Sequence, residues 1–172
     1  MKYCYLFLIV FMCSISTMTA QVDRDLFRVG FNAGLPVGDA ADIANISIGV
    51  DVMYHLGVSK TVDLGVATGF TNAFGKTETV SGGGITIENE FDNIQHIPLA
   101  GSFRFYPAHG FKLGGDVGYA LGLNAGNEGG LYYRPMLGIE INGTTELNLS
   151  YTGIEGDGAN FTTAVLAVLF LF

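Results

Sequence analysis

The sequence is poor in the residues that build disulfide-bonded, thiol-dependent or nucleic-acid-binding domains. Its two cysteines, Cys4 and Cys13, both fall within the first 20 residues. If that segment is removed, no thiol remains, which excludes disulfides, thiol catalysis and cysteine-ligated metals. Lys and Arg number 8 against 16 Asp and Glu, giving a net charge of -8. This acidic balance argues against nucleic acid as a partner.

The chain also lacks an apolar run long enough for a transmembrane helix, although its mean hydropathy is positive. Near the N-terminus, Lys2 is followed by the apolar run Tyr3 to Met12 and then by the small and polar stretch Cys13 to Ala20. This order is typical of a secretory signal, and the run is too short to span a bilayer. We predict a signal peptide over residues 1–20, which is removed, and one domain over residues 21–172.

What the chain does have is a period of two, in which apolar residues alternate with polar or small ones. In the first predicted strand Phe27, Val29 and Phe31 share one face, and Arg28 and Gly30 share the other. Seven further segments repeat the pattern, the last being the apolar run from residue 161 to residue 172. Eight strands of bilayer-spanning length, joined by alternately short and long links, predict an all-β fold: an eight-stranded antiparallel up-and-down transmembrane β-barrel.

A soluble, lipocalin-like barrel also has eight antiparallel strands, but its apolar residues point inward. The glycines of the predicted strands decide between the two, because only Gly101 and Gly115 fall on the apolar face, whereas ten fall on the face that carries the charges: Gly30, Gly34, Gly49, Gly57, Gly65, Gly69, Gly114, Gly118, Gly122 and Gly138. Small residues suit the concave side of a narrow barrel, which favours the membrane interpretation. Pro98 and Pro135 fall inside predicted strands, so we expect a bulge or weak pairing at each.

The predicted inner face gathers charges of both signs: Arg28, Asp51, Asp63, Arg104, Lys112, Asp116, Arg134, Glu140 and Glu146. Burying one such charge alone is costly, so mutual pairing is expected. We predict a lumen closed by ion pairs, with a shallow hollow open to the outside. That design favours a structural or surface-interaction role, with a narrow porin-like channel for small solutes as the alternative.

The long links contain Lys76 as their one basic residue. Their acidic residues are Asp39, Asp42, Glu78, Glu88, Glu90, Asp92, Glu128, Glu155 and Asp157. An acidic rim can hold divalent cations shared with lipopolysaccharide or present charge to an extracellular partner. A lipid-A-modifying enzyme is the second alternative, with His96 near the rim and Asp92 and Ser81 in the adjoining loop. No His-x-Ser pair exists, and nothing in the sequence orients a base onto a nucleophile. We therefore predict no catalytic, cofactor-binding or metal-binding residue.

Three stretches and the last residue resemble the small outer-membrane β-barrel family, of the OmpX and OmpA-transmembrane-domain type: Val29 to Gly38, Ile97 to Pro107, Gly130 to Gly138 and Phe172. The resemblance covers the chain after residue 20. It implies a bacterial outer-membrane location with both termini periplasmic, an envelope-integrity, adhesion or host-interaction role, and no cofactor. It also implies that Phe172 is the signal read by the barrel-assembly machinery.

Overall fold

The computed structural model describes residues 26–82, 85–156 and 160–172, and of residues 78, 80–82 and 85–87 it describes only the backbone. The predicted signal peptide, Gly83, Gly84 and Asp157 lie outside the described residues. Within the described ranges the chain forms these elements: β1 Leu26–Val37, α1 Ala40–Ile43, β2 Ala44–Gly57, β3 Val62–Gly75, β4 Thr77–Gly82, β5 Ile85–Glu90, β6 Ile94–Ala108, β7 Phe111–Gly122, β8 Gly130–Glu140, β9 Thr145–Glu155 and β10 Asn160–Leu171.

Eight of these strands close into one barrel, in the order β1-β10-β9-β8-β7-β6-β3-β2. All neighbours run antiparallel, and β1 pairs with β2 on one side and with β10 on the other. The ten pairs of the closing ladder run from Arg28 opposite Leu171 to Val37 opposite Thr162. The predicted eight-stranded antiparallel barrel is confirmed.

The longest of the long links predicted from the sequence, which spans Asn72 to Asn93, is wrong in its detail because part of it forms strands. Strand β3 continues to Gly75, and β4 and β5 then form a separate two-stranded sheet. The six pairs of this hairpin run from Thr77 opposite Glu90 to Gly82 opposite Ile85. Its threonine, valine and isoleucine content favours strands, and its glycine-rich tip favours a turn. Because the acidic residues obscured the alternation, sequence reasoning took the whole segment for a loop.

The side chains divide between the two faces of the barrel as the period of two predicts. Large apolar residues stay exposed on the outer face of every barrel strand, among them Phe31 at 67%, Val66 at 62% and Val117 at 63%. Arg28 and Arg104, by contrast, are among the most completely buried side chains, each at 0% exposure. A soluble domain has the reverse distribution. The lipocalin-like alternative therefore fails, and the outer face is suited to hydrocarbon.

Glycines on the inner face make room for these charged side chains. A Cβ added at Gly114 would lie 2.7 Å from Arg104 Cδ, and one at Gly138 would lie 2.5 Å from Lys112 Cε. At the outward-facing Gly115, the nearest atom would be 3.6 Å away. Inner glycines are therefore required by close approach, in agreement with the prediction from their placement.

Pro98 and Pro135 each interrupt one ladder and leave the other intact. Pro98 pairs with Ala120 of β7, but on the β3 side no pair lies between Thr68–Leu99 and Thr71–His96. Pro135 pairs with Gly115 of β7, while the β8–β9 ladder skips from Tyr133 to Met136. The register is the same before and after each gap. The expected weak pairing is confirmed, without a bulge at either proline.

The two ends of the barrel differ in the length of their links. At one end, residues 58–61, 109–110 and 141–144 make short turns. The ends of the described chain meet at this same end, where Phe27 N donates to Phe172 O at 3.3 Å and Phe172 N donates to Phe27 O at 2.9 Å. The opposite end carries α1, the β4–β5 hairpin, the seven-residue link of residues 123–129 and the link of residues 156–159. We call the first the short-turn end and the second the long-loop end.

Candidate functional site

The buried lumen charges form the most distinctive site of the chain, and its first cluster surrounds Arg28 near the short-turn end. Arg28 Nε donates to Glu146 Oε1 at 3.1 Å, and Nη2 lies 3.8 Å from Asp63 Oδ2. The same Nη2 donates to the Tyr106 hydroxyl at 2.9 Å, while Nη1 lies 2.6 Å from His55 Nδ1. Each branch of the guanidinium thus has a partner, which offsets the cost of its burial.

Lys112 joins this cluster through a close ion pair with the second oxygen of the Glu146 carboxylate. Glu146 therefore lies between two cations, Arg28 and Lys112, and is itself 2% exposed. Glu140, which the sequence assigned to the same inner face, is exposed at the end of β8. It lies directly opposite Glu146 on the same face, at the rim of the short-turn end, where it lines a hollow together with Arg28 and Glu146.

A second cluster lies farther along the lumen and centres on Asp116. Its Oδ1 accepts from Arg104 Nη1 at 2.8 Å and from Ser102 Oγ at 2.7 Å. Arg104 Nη1 also donates to the backbone oxygen of Phe103 at 2.9 Å, and its Nη2 contacts Met53 Sδ at 3.4 Å. A guanidinium at 0% exposure thus keeps several acceptors, as a buried cation needs.

The third cluster is a bidentate pair between Arg134 and Asp51. Nη1 donates to Oδ1 at 2.9 Å and Nη2 donates to Oδ2 at 3.0 Å, while Nε donates to Ser150 Oγ at 3.0 Å. Both ionic side chains are 5% exposed. This parallel geometry is the strongest form of the arginine–carboxylate interaction. It joins β8 to β2 across the lumen, between strands that are not neighbours in the barrel.

One contact that sequence reasoning missed is a histidine–serine pair. His55 Nε2 lies 2.6 Å from Ser102 Oγ, the kind of contact that can activate a serine nucleophile. Here, however, the hydrogen bond has the opposite direction from the one that such activation needs. Arg28 can only donate, so His55 Nδ1 accepts from it and Nε2 carries the proton that goes to Ser102. Ser102 in turn donates to Asp116. His55 therefore cannot take a proton from the hydroxyl, and the pair has a structural role.

Of the residues considered for lipid-A chemistry, those with described side chains do not form a site either. His96 is 4% exposed and points into the barrel, whereas Asp92 is exposed in the link before β6. The side chain of Ser81 lies outside the described part of the structure. His109 is exposed in the turn at the opposite end. No base and nucleophile meet among these described side chains.

Among the residues that the structure describes, no helix is long and apolar enough to cross a membrane. In the same ranges, no three or more His, Cys, Asp or Glu side chains come together as metal ligands would.

The outer half of the lumen contains a small void and, above it, a larger cavity. The void has a volume of about 20 Å³ and is lined by Asn32 and Thr71, among others. This is room for about one water molecule. The cavity has a volume of about 390 Å³ and is lined by Ile43 and Ile94, among others. A hollow at this end agrees with the shallow hollow predicted from the sequence.

A closed antiparallel barrel that is apolar outside and charged inside is the architecture of transmembrane β-barrels. Solved structures with this fold include the crystal structure of Ail, the attachment invasion locus protein of Yersinia pestis. Its TM-score is 0.56 at 14% identity, over 86% of this chain and 97% of Ail. The backbone structure of the same protein in a phospholipid bilayer nanodisc gives 0.52 at 16% identity, over 85% and 99% of the two chains.

A designed transmembrane β-barrel is also similar, with a TM-score of 0.51 at 9% identity over 86% of this chain and 95% of the design. At these identities the similarity shows a shared fold. The resemblance to small outer-membrane barrels is thus confirmed at the level of architecture. No protein-family model matches the chain, and no curated protein does so.

Proposed function

We propose that the chain is an integral outer-membrane barrel whose lumen is closed by ion pairs and whose long-loop end interacts with partners outside the cell. The observation that carries this proposal is the filling of the lumen. Arg28, Arg104, Arg134 and their carboxylates are nearly inaccessible. Removing one partner of such a buried pair typically costs about 3–5 kcal/mol, so the pairs are not expected to open at rest.

The outer-membrane location is supported by the apolar outer face and by the likeness to Ail, which is named as an outer membrane protein. The short-turn end would face the periplasm, because short periplasmic turns and longer outer loops are the rule for such barrels. Both termini would then be periplasmic. Phe172, exposed at 76%, is accessible there as the signal for the barrel-assembly machinery.

The interaction role is supported by the long-loop end. The β4–β5 hairpin is a sheet of its own, so the outer edges of both strands present backbone groups that another strand can pair with. Ail is named for attachment and invasion, and one of its structures holds the heparin analogue sucrose octasulfate. The long-loop end here is acidic, so a sulfated polyanion is not the expected partner. A basic protein surface, or lipopolysaccharide through shared divalent cations, suits this charge better.

Conductance of the purified protein in a planar bilayer tests the closed lumen. The wild type should be silent, whereas Arg104→Ala and Arg134→Ala should leak because each leaves a gap and an unpaired carboxylate. Leu137→Ala, on the outer face of β8, is the matched control and should stay silent. Steady channels in the wild type would contradict the proposal of a closed lumen and favour the narrow porin-like channel.

Adhesion of cells that display the barrel tests the interaction role. Replacing residues 77–90 by a short glycine–serine link should reduce binding to a protein-coated surface, while the barrel itself stays intact by circular dichroism. A variant with Glu88→Gln and Glu90→Gln keeps the hairpin and removes charge, so it separates backbone pairing from electrostatics. Unchanged adhesion in both variants would argue for a purely structural, envelope-integrity role.

A further inference from the structure

The cavity of about 390 Å³ at the long-loop end is shaped like a small-molecule site. Its walls include Ile43 of α1, Ile94 of β6, Ile154 of β9 and Phe161 of β10. Four elements that are distant in sequence thus supply an apolar lining. We call this cavity the outer vestibule. Its volume lies within the range of pockets that bind small organic ligands.

The floor of the outer vestibule carries a polar atom that nothing in the described structure satisfies. His96 lines both the outer vestibule and the void beneath it, and its side chain is 4% exposed. Its Nδ1 atom is buried and has no hydrogen-bond partner among the described residues. Leaving a buried polar atom without a partner is costly. A ligand whose polar head reaches the floor would remove that cost.

The surroundings favour a positively charged head. Glu128 lines the outer vestibule and is exposed at its rim. The other acidic residues described at this end add to the negative potential, whereas the side chain of Lys76 is held by the backbone oxygen of Ala41. Phe161 shares the floor with His96 and offers an aromatic ring, which attracts cations.

We propose that the outer vestibule binds a small organic ammonium ion with one ring or a short aliphatic body. The ammonium group donates to His96 Nδ1 once the imidazole has turned this buried atom toward the cavity, near the ring of Phe161 and within the field of Glu128. The apolar body packs against Ile94 and Ile154. The void of about 20 Å³ below is too small for more than a water molecule. The ligand therefore stops above the ion pairs, and the proposal does not depend on the lumen being closed.

Three ligands of nearly the same shape test the charge requirement: benzylammonium, benzyl alcohol and benzoate. The chain has three histidines, so protein labelled with ¹⁵N in the imidazole rings gives three reporters in the wild type. His96 lies at the vestibule, His55 lies deep in the lumen and His109 lies in a turn at the opposite end. In nanodiscs, benzylammonium should shift the His96 signals saturably and leave the other two unchanged.

Benzylammonium should bind about tenfold more tightly than benzyl alcohol, because a charge-assisted hydrogen bond replaces a neutral one. Benzoate should not bind. Glu128→Gln, at an exposed position, should weaken the binding of benzylammonium and leave the binding of benzyl alcohol unchanged.

A second measurement guards against unspecific partition into the lipid. The chain has no tryptophan, so Phe161→Trp creates a single fluorophore at the floor, and Phe31→Trp creates one on the outer face. Benzylammonium should change the fluorescence of the Phe161→Trp variant saturably, and that of the Phe31→Trp variant only in proportion to the ligand concentration. Equal binding of all three ligands, equal shifts at all three histidines, or no shift at His96 would overturn the proposal.

Discussion

Replacing Arg134 by glutamine would leave Asp51 as a buried carboxylate that has lost a bidentate partner. The structure gives two charge-assisted hydrogen bonds, at 2.9 and 3.0 Å, between groups that are 5% exposed. Breaking a buried pair from one side typically costs about 3–5 kcal/mol, because the remaining charge is uncompensated. We expect Arg134→Gln and Asp51→Asn each to lower the free energy of unfolding by about this amount. The double variant should cost about 2–3 kcal/mol less than the sum, because it leaves no lone charge.

Denaturant unfolding in phospholipid vesicles, followed by circular dichroism, measures these free energies. Glu140→Gln is the matched control, since it removes a carboxylate that is exposed at the rim of the same strand. A change at such a site is usually worth about 0.5 kcal/mol or less. The reasoning is refuted if Arg134→Gln is as mild as Glu140→Gln, or if the two single changes are simply additive. Either result would mean that water or neighbouring groups form hydrogen bonds to the charged side chain that has lost its partner.

Two further changes probe the space on the inner face of the barrel and the pairing between its strands. Gly114→Val should lower the free energy of unfolding by about 1–3 kcal/mol in the same assay, because its Cβ would lie 2.4 Å from the backbone oxygen of Phe103 and would displace a guanidinium. Gly115→Ala, on the outer face, should be nearly neutral, and equal costs for the two changes would contradict the assigned faces. Pro98→Ala restores an N–H opposite Gly69, so hydrogen exchange at residue 98 should be slow. Fast exchange there would show that the gap in the ladder has a cause other than the proline.

The faces of the strands could be predicted because a strand has a period of two and the two sides of this barrel are chemically opposite. Arg28 and Phe31 illustrate this, since their assignment to inside and outside needed only the alternation. The prolines were informative for the same reason, because a missing N–H must interrupt a ladder wherever the strand lies. Composition and local pattern thus determine architecture in this chain.

The partners inside the lumen could not be predicted, because they depend on the tilt of the strands and the stagger between them. Arg134 and Asp51 were both assigned to the inner face, but they lie on strands that do not pair. The contact between His55 and Ser102 depends on the same geometry. The exposure of Glu140 could not be predicted for a related reason, since alternation says which side a residue faces and not how close it lies to the end of the lumen.

The closing ladder between β1 and β10 joins the first and last strands of the barrel, whereas every other barrel ladder joins successive barrel strands, with only the β4–β5 hairpin inserted between β3 and β6. Arg28 and Glu146, 118 residues apart in sequence, can meet only when the sheet has curled into a cylinder. An open sheet in the bilayer would therefore carry these charges without their partners, in a medium that penalises them strongly. Closure and neutralisation would occur together, which makes partly assembled forms short-lived. The charges that fill the finished barrel would thus also make its last folding step cooperative.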